Sequence, residues 1–595
     1  MKAMKRCMLV SLALWAAVLT QAQTQIQWHD PLDADVPYVS GRAWNAEIGK
    51  SYARMPDRME KNIPKAVWRL SRQSAGLSVL FRTTAEEISV RFKVTNVAPS
   101  YRNMAPLNHS GVDLYAMDVD GAWHWIGNHM KYSYPKQNGD TLTFSFKGIK
   151  PRGFAKRGLE YRLILPMYNT VTWLEVGVPG DSKFQFFRES QENPIVAYGT
   201  SILHGASPSR PGLAWTHIVQ RELGYPVVNL GFSGSALLEP ELFDAMSEVD
   251  ACCYIVDAIP NSHGMGEKIM QRVLDGVKKL RAKSQAPILL VESCGSPDTV
   301  FTPAHNSSQE NGNRYLRKAY EALQSAGEKE IYYLSKQEIG FTEDAMIEGT
   351  HPNDIGMRQY ADAYIKKLKI ALRETRDGMA NKCFTVCKQR RDGCYEWSDR
   401  HNEIIALNRT TDPEVLVIGN SITHFWGGDP KSRNEGGDTW QKLFGKHRAV
   451  NMGMGWDRVE NVQWRLLHGE LDGCHPKQIC LLIGVNNTGK NTPLEIMTGV
   501  LDNVKIIRNR QPQAQVHVVC IYPARNREKL VAEINDLLKK NLANWPQVQV
   551  HDLTDVLTLK DGSGKIDPEC FLKDGLHPNE KGYSKLAKAY KKFLF

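Results

Sequence analysis

The sequence predicts an α/β protein: two domains built on mostly parallel sheets, preceded by an all-β sandwich of jelly-roll type. Three stretches of contrasting texture carry that reading. From about residue 191, apolar runs such as PIVAYG (194–199), ACCYIVDA (251–258) and APILLVE (286–292) alternate with helix-like segments such as EKIMQRVLDGVKKLRAK (267–283). That alternation is the pattern of βαβ units. The same texture returns after about residue 400, in EVLVIG (414–419), QICLLIG (478–484) and QVHVVCIY (515–522). Residues 23–190 differ. There EISVRFKVT (87–95), TLTFSFK (141–147) and WLEVGV (173–178) alternate apolar and polar positions with period two, as strands with one buried face do.

A chain of 595 residues exceeds what one core supports, so several domains are expected. The first 22 residues read as a signal peptide: a basic start (Lys2, Lys5, Arg6), an apolar stretch, and a polar TQAQ segment with a cut after Ala22. No later run reaches the ~18 apolar residues of a membrane span. The expected division is 1–22 leader, 23–190 β-sandwich, 191–378 first α/β domain, 379–400 linker or first helix of the next unit, and 401–595 second α/β domain. Export to the periplasm or medium, without stable membrane association, follows as an expectation. The net charge of +10 is spread in short runs that suit solvated helix faces, and nothing in it supports nucleic-acid binding. Cys252, Cys253, Cys480 and Cys520 sit in or beside apolar runs and read as free thiols. Cys383, Cys387 and Cys394 lack a fourth ligand at zinc-like spacing.

The two α/β halves repeat one another. Gly199-Thr200-Ser201-Ile202 and Gly419-Asn420-Ser421-Ile422 each follow a strand. Asn229-Leu230-Gly231-Phe232-Ser233-Gly234 answers to Asn451-Met452-Gly453-Met454-Gly455-Trp456, and Ile259-Pro260-Asn261 to Gly484-Val485-Asn486-Asn487. Each half closes on a histidine segment, Glu348-Gly349-Thr350-His351-Pro352-Asn353 and Asp574-Gly575-Leu576-His577-Pro578-Asn579. Serine and histidine are 150 residues apart in one half and 156 in the other; serine and asparagine are 60 and 65 apart. Four ordered matches at near-equal spacing mark a duplicated domain.

The residue types suit acyl transfer. A serine just past a strand end sits at the carboxyl edge of a sheet, where α/β folds gather their sites. Its hydroxyl needs a base within hydrogen-bond reach, which His351 or His577 supplies. Glu348 or Asp574, three residues earlier, can hold the imidazole in the useful tautomer. The N–H groups of the serine and of Gly234 or Trp456, with the side-chain amide of Asn261 or Asn486, would cradle the developing oxyanion. Each such donor is worth roughly 10²–10³-fold in rate.

These segments resemble the signature of the SGNH (GDSL) hydrolase superfamily, over roughly 191–375 and 401–595. The resemblance implies flavodoxin-like three-layer α/β/α domains, ester or acetyl-ester hydrolysis, and no metal or organic cofactor. It implies a catalytic set of Ser201, Gly234, Asn261 and His351, and a second set of Ser421, Asn486, Asp574 and His577; in the first, either Glu348 or a backbone carbonyl orients His351. The run NMGMGWDRVENVQWRLLHGEL, followed by IGVNN, is similar to catalytic subunits of intracellular platelet-activating-factor acetylhydrolase. Gly111-Val112-Asp113-Leu114-Tyr115 resembles the GxDLY motif found upstream of SGNH esterases, with Asp113 read as a structural strand residue behind a turn glycine.

The chain departs from the family pattern at Thr200 and Asn420, where an aspartate is usual, at Glu348, one methylene longer than the usual acid, and at Trp456, where glycine is usual. A backbone N–H survives at Trp456, so the hole persists provided positive φ is not required there. Its indole is expected to narrow the second acyl pocket toward acetyl. Two enzyme readings stay open, a carbohydrate O-acetylesterase acting on acetylated oligo- or polysaccharide and a lipid or aryl-ester hydrolase. A third is a glycan-binding protein with a silent hydrolase domain.

Overall fold

The computed structural model describes residues 25–95, 101–118, 121–127, 135–150, 158–297, 301–302, 304, 306–372, 386–388 and 397–595. The leader, Cys383, Cys394 and most of the 379–400 segment lie outside the described residues. Residues 397–400 begin a helix, Trp397–Thr411, that opens the second α/β unit.

Among the described residues, nine strands form the N-terminal domain: β1 (Ile26–His29), β2 (Ser78–Thr83), β3 (Glu87–Thr95), β4 (Asp113–Met117), β5 (Trp123–Ile126), β6 (Thr141–Lys147), β7 (Leu159–Ile164), β8 (Thr170–Pro179) and β9 (Phe184–Phe186). They make two antiparallel sheets, ordered β1-β8-β3-β6 and β5-β4-β7-β2-β9. With β9 set aside, that order is the jelly roll, with β1, β3, β6 and β8 in one sheet and β2, β4, β5 and β7 in the other. The period-two pattern now has its cause. Ile88, Val90 and Phe92 of β3 and Phe144 and Phe146 of β6 turn inward onto Val79, Phe81, Leu114 and Leu163 of the facing sheet.

The first α/β domain carries β10 (Ile195–Gly199), β11 (Val227–Gly231), β12 (Cys253–Asp257), β13 (Ile288–Val291) and β14 (Ile331–Leu334), all parallel, in the order β11-β10-β12-β13-β14. Its strands read as unbroken apolar runs because both faces are covered. Val196 and Tyr198 join the core under one helix layer, and Ile195 and Ala197 the core under the other. The second domain repeats the scheme with β15 (Val415–Gly419), β16 (Ala449–Gly453), β17 (Gln478–Leu482), β18 (Gln515–Val519) and β19 (Val548–His551), ordered β16-β15-β17-β18-β19. In each, the chain leaves the first strand for one neighbour and then crosses to the other side. The flavodoxin-like switch point therefore lies at the carboxyl end of β10 or β15.

Part of the chain ahead of residue 191 packs with the first α/β domain. Trp44, Met55, Met59, Ile63, Val67 and Leu70 belong to the core of the first α/β domain, against Val228, Leu230 and Phe243. The buried Arg54 guanidinium donates to the carbonyls of Asn229 and Gly231 on β11 (both 2.9 Å), of Leu70 (2.7 Å) and of Gln73 (3.0 Å). Arg400 does the same in the second domain, donating to Asn451 and Gly453 of β16 (both 2.8 Å). A segment ahead of the jelly roll's second strand thus serves the first domain as the helix Trp397–Thr411 serves the second. The two α/β domains meet through Tyr225, whose hydroxyl donates to the Leu467 carbonyl (3.0 Å), and through a buried Glu192–His468 pair (2.8 Å). Among the described residues, no helix is long and apolar enough to cross a membrane.

Candidate active sites

Ser201 opens a one-turn helix, Ser201–His204, directly after β10, and Ser421 opens Ser421–His424 after β15. Both serines keep 7% of their surface exposed. The second motif explains what holds those turns. Asn229 Nδ2 donates to the Leu203 carbonyl (2.8 Å) while its Oδ1 accepts from the Gly231 N–H (2.9 Å). Asn451 does likewise with Thr423 (2.8 Å) and Gly453 (2.8 Å). The glycine of this motif is required for close approach: a Cβ on Gly231 would stand 2.2 Å from the His204 nitrogen, and one on Gly453 2.2 Å from that of His424.

The histidine segments form tight loops ahead of the last helix of each domain. Ile347 N–H donates to the His351 carbonyl (2.9 Å), and Leu572 N–H to that of His577 (2.8 Å). Asn353 and Asn579 cap the following helices, Asp354–Ala371 and Glu580–Leu594, which frees the histidines to point elsewhere. They point at the serines. Ser201 Oγ lies 2.8 Å from His351 Nε2, and Ser421 Oγ 2.8 Å from His577 Nε2. Behind them, His351 Nδ1 hydrogen-bonds Glu348, and His577 Nδ1 meets Asp574 Oδ2 at 2.6 Å. Burial pushes both carboxyls up, but hydrogen bonds from the histidine ring and loop N–H groups outweigh it and hold both below the usual carboxylate range.

The oxyanion candidates sit on the loops that follow the flanking strands. Gly234 follows β11 and Asn261 lies in the helix Ile259–Ser262 after β12; β10 lies between those strands, with Gly199 opposite Gly231 and Asp257. Trp456 and Asn486 hold the same places after β16 and β17. Asn261 Nδ2 is buried without a partner among the described residues, whereas Asn486 Nδ2 donates to the Asp457 carbonyl (2.8 Å). Gly234 and Trp456 both have φ of +67°. Positive φ is therefore adopted in both domains, and the tryptophan bears a strain that glycine avoids. Trp456 is 47% exposed.

The other departures differ in effect. Asn420 Oδ1 accepts from the Ile422 N–H (2.9 Å) and so caps the helix Ser421–His424, whereas the Thr200 hydroxyl is buried without a partner among the described residues. Trp215, Trp426 and Trp464 are core residues. Cys253, Cys480 and Cys520 are buried free thiols, and Cys252 is a half-buried one.

Two features escaped the sequence reading. Asp113, fully buried on β4, accepts from the Gly212 N–H (2.7 Å), Arg210 Nη1 (2.9 Å) and Trp125 Nε1 (3.1 Å), so the GxDLY-like motif grips a loop of the first α/β domain. That loop reaches the helix that follows the histidine segment, since Ser209 N–H donates to Asp354, its first residue (2.7 Å). Asn103, also from the N-terminal domain, places its amide nitrogen 3.2 Å from His351 Nδ1. No sequence pattern announces it.

A doubly wound sheet whose carboxyl edge joins serine, histidine and carboxylate is the arrangement of a hydrolase of the acyl-transfer kind, and it occurs twice here. The comparisons agree. Residues 192–369 and 417–585 each match models of the GDSL-like lipase/acylhydrolase family, and residues 26–184 match the model of the N-terminus of SGNH-hydrolase-type esterases. Platelet-activating factor acetylhydrolase IB subunit alpha2 is 31% identical in both rat (Rattus norvegicus) and human (Homo sapiens) over 196 residues, 32% of this chain and 80% of the relative. The crystal structure of a GDSL-like lipase from Bacteroides ovatus superposes with a TM-score of 0.52 at 27% identity, covering 59% of this chain and 98% of that one. The chain belongs to the GDSL-like lipase/acylhydrolase family and is a carboxylic ester hydrolase.

Proposed function

We propose that the protein is an exported two-site serine esterase that removes small acyl groups, acetyl foremost, from acetylated oligo- or polysaccharides. The observation that carries the reading is the 2.8 Å contact of serine Oγ with imidazole Nε2, made twice. Serine Oγ attacks the ester carbonyl carbon as Nε2 takes its proton. The oxyanion is held by the serine N–H, the N–H of Gly234 or Trp456, and the amide of Asn261 or Asn486. Collapse breaks the bond to the sugar oxygen, which leaves with the proton from Nε2. Water, giving a proton to the same nitrogen, then attacks the acyl-serine, and release of acetate restores the hydroxyl.

Two sites on one chain suit a polymer bearing many acetyl groups, because a chain held at one site raises the local concentration at the other. The basic-then-apolar leader supports action outside the cytoplasm. Acetyl is the group in the curated relatives' name. Acetate release from a panel of acetylated polysaccharides tests the reading, using the wild type, Ser201→Ala, Ser421→Ala and the double variant. Release that falls in each single variant and vanishes in the double one is expected. Release that survives the double substitution, or cleavage confined to lipid and aryl esters, contradicts it.

A further inference from the structure

We propose that Asn103, carried by the jelly-roll domain, is a positioning residue of the first site, tethering Glu348 so that this longer carboxylate orients His351 as an aspartate would. The inference rests on the serine chemistry proposed above. Asn103 Nδ2 stands 3.2 Å from His351 Nδ1, the atom that bonds Glu348, so the amide lies beside that hydrogen bond.

The tautomer decides where the amide hydrogen goes. For Nε2 to accept the proton of Ser201, Nδ1 must carry the ring hydrogen and give it to Glu348. A protonated Nδ1 cannot accept from Asn103. The amide hydrogen therefore belongs on the Glu348 carboxylate, whose pKa the Asn103 side chain helps to lower. Should the amide bond the Nδ1 lone pair instead, Nε2 would carry the hydrogen and could no longer act as base.

Asn103 is delivered on a fixed support. The neighbouring helix Pro106–Ser110 is tied to the end of the nucleophile helix by Asn108 Nδ2, which donates to the Gly205 carbonyl (2.9 Å). Tyr101 packs on Tyr168 (ring centroids 5.4 Å apart), and Tyr168 stacks on His204 (4.2 Å). Glu348 needs such a tether. Its own loop supplies N–H donors from Thr350 (3.0 Å) and His351 (3.1 Å), but its extra methylene adds a rotatable bond. In the second site the shorter Asp574 is held, among the described residues, by its own loop alone, through Leu576 (2.9 Å), His577 N–H (3.0 Å) and the ring.

The test is a double-mutant cycle in the full chain carrying Ser421→Ala, so that only the first site acts on an aryl acetate. Asn103→Ala is expected to lower kcat by roughly tenfold to a hundredfold with KM unchanged. In a Glu348→Ala background it is expected to add nothing, because the two act as one unit. Asn103→Asp, the second variant, adds a negative charge beside Nδ1 and should move the acid limb of kcat/KM to higher pH. Losses that multiply, a change in KM alone, or an unmoved acid limb would overturn the role of Asn103. Ser201→Ala in the same background reports on the chemistry itself: cleavage that survives it removes the serine mechanism and this inference together.

Discussion

Trp456 and Gly234 share a φ of +67°, so the second site asks an indole-bearing residue to adopt the backbone that the first gives to glycine. That conformation costs an L-residue about 1–2 kcal/mol. Trp456→Gly relieves that strain but forfeits the buried half of a large side chain, about 2–3 kcal/mol at ~25 cal/mol per Å², so the urea midpoint of the second domain is expected to stay level or fall. In a Ser201→Ala background it should raise butyrate cleavage relative to acetate, since the indole beside the proposed oxyanion site is gone. Chain-length preference that stays put would remove the crowding argument.

Asn451 holds the turn that carries Ser421 through a buried amide that donates to Thr423 (2.8 Å) and Gly427 (2.6 Å) and accepts from Gly453 (2.8 Å). Asn451→Ala leaves those backbone groups unpaired at a cost of about 1–3 kcal/mol each. Thermal unfolding should report the destabilisation. Second-site kcat should fall with it, because Ser421 loses its support. A stable variant with unchanged kcat would show that the asparagine is dispensable.

Arg54 ties the polypeptide ahead of β2 to β11. Arg54→Met should cost about 3 kcal/mol or more, since hydrogen bonds to a charged donor contribute about 1.5–3 kcal/mol each. For the same reason, a chain starting at residue 191 should leave the first α/β domain open to proteolysis, its core lacking Val67, Leu70 and their neighbours. A protease-resistant first domain in that fragment would refute the shared core.

Asp257, at the end of β12, is pushed up to about 8 by burial, with the Tyr364 hydrogen bond (2.8 Å) acting the other way. The sign follows from linkage. The unfolded carboxyl ionises near 3.8 and the folded one near 8, so its contribution is fully present below the lower value and is lost as pH rises toward the upper. Asp257→Asn has no proton to lose. Its advantage in Tm over the wild type should be small at pH 4.5 and several degrees at pH 8; equal gaps at both would contradict the buried-acid account.

What could be read from the residues was whatever recurs. The serine and histidine segments stood out because they appear twice in one order, and their spacing follows from an identical sheet order. Asn103 could not be found that way. It reaches His351 across 248 residues, from a domain that occurs once. The helix Lys65–Ser71 is too short, at seven residues, to show a period, and it lies in a stretch, 23–190, read as β-rich, so its place in the α/β core was hidden. The strain at Trp456 was also invisible, because a sequence shows that glycine is missing but not which backbone angle it left behind.

The most direct test of the duplicated serine–histidine pairing is covalent labelling of the intact chain with a fluorophosphonate, followed by peptide mass analysis. Two labels per chain are predicted, on Ser201 and on Ser421, each abolished by replacing its own histidine, His351 or His577, with alanine. Labelling that spares both serines, or that is indifferent to the histidines, would contradict the account.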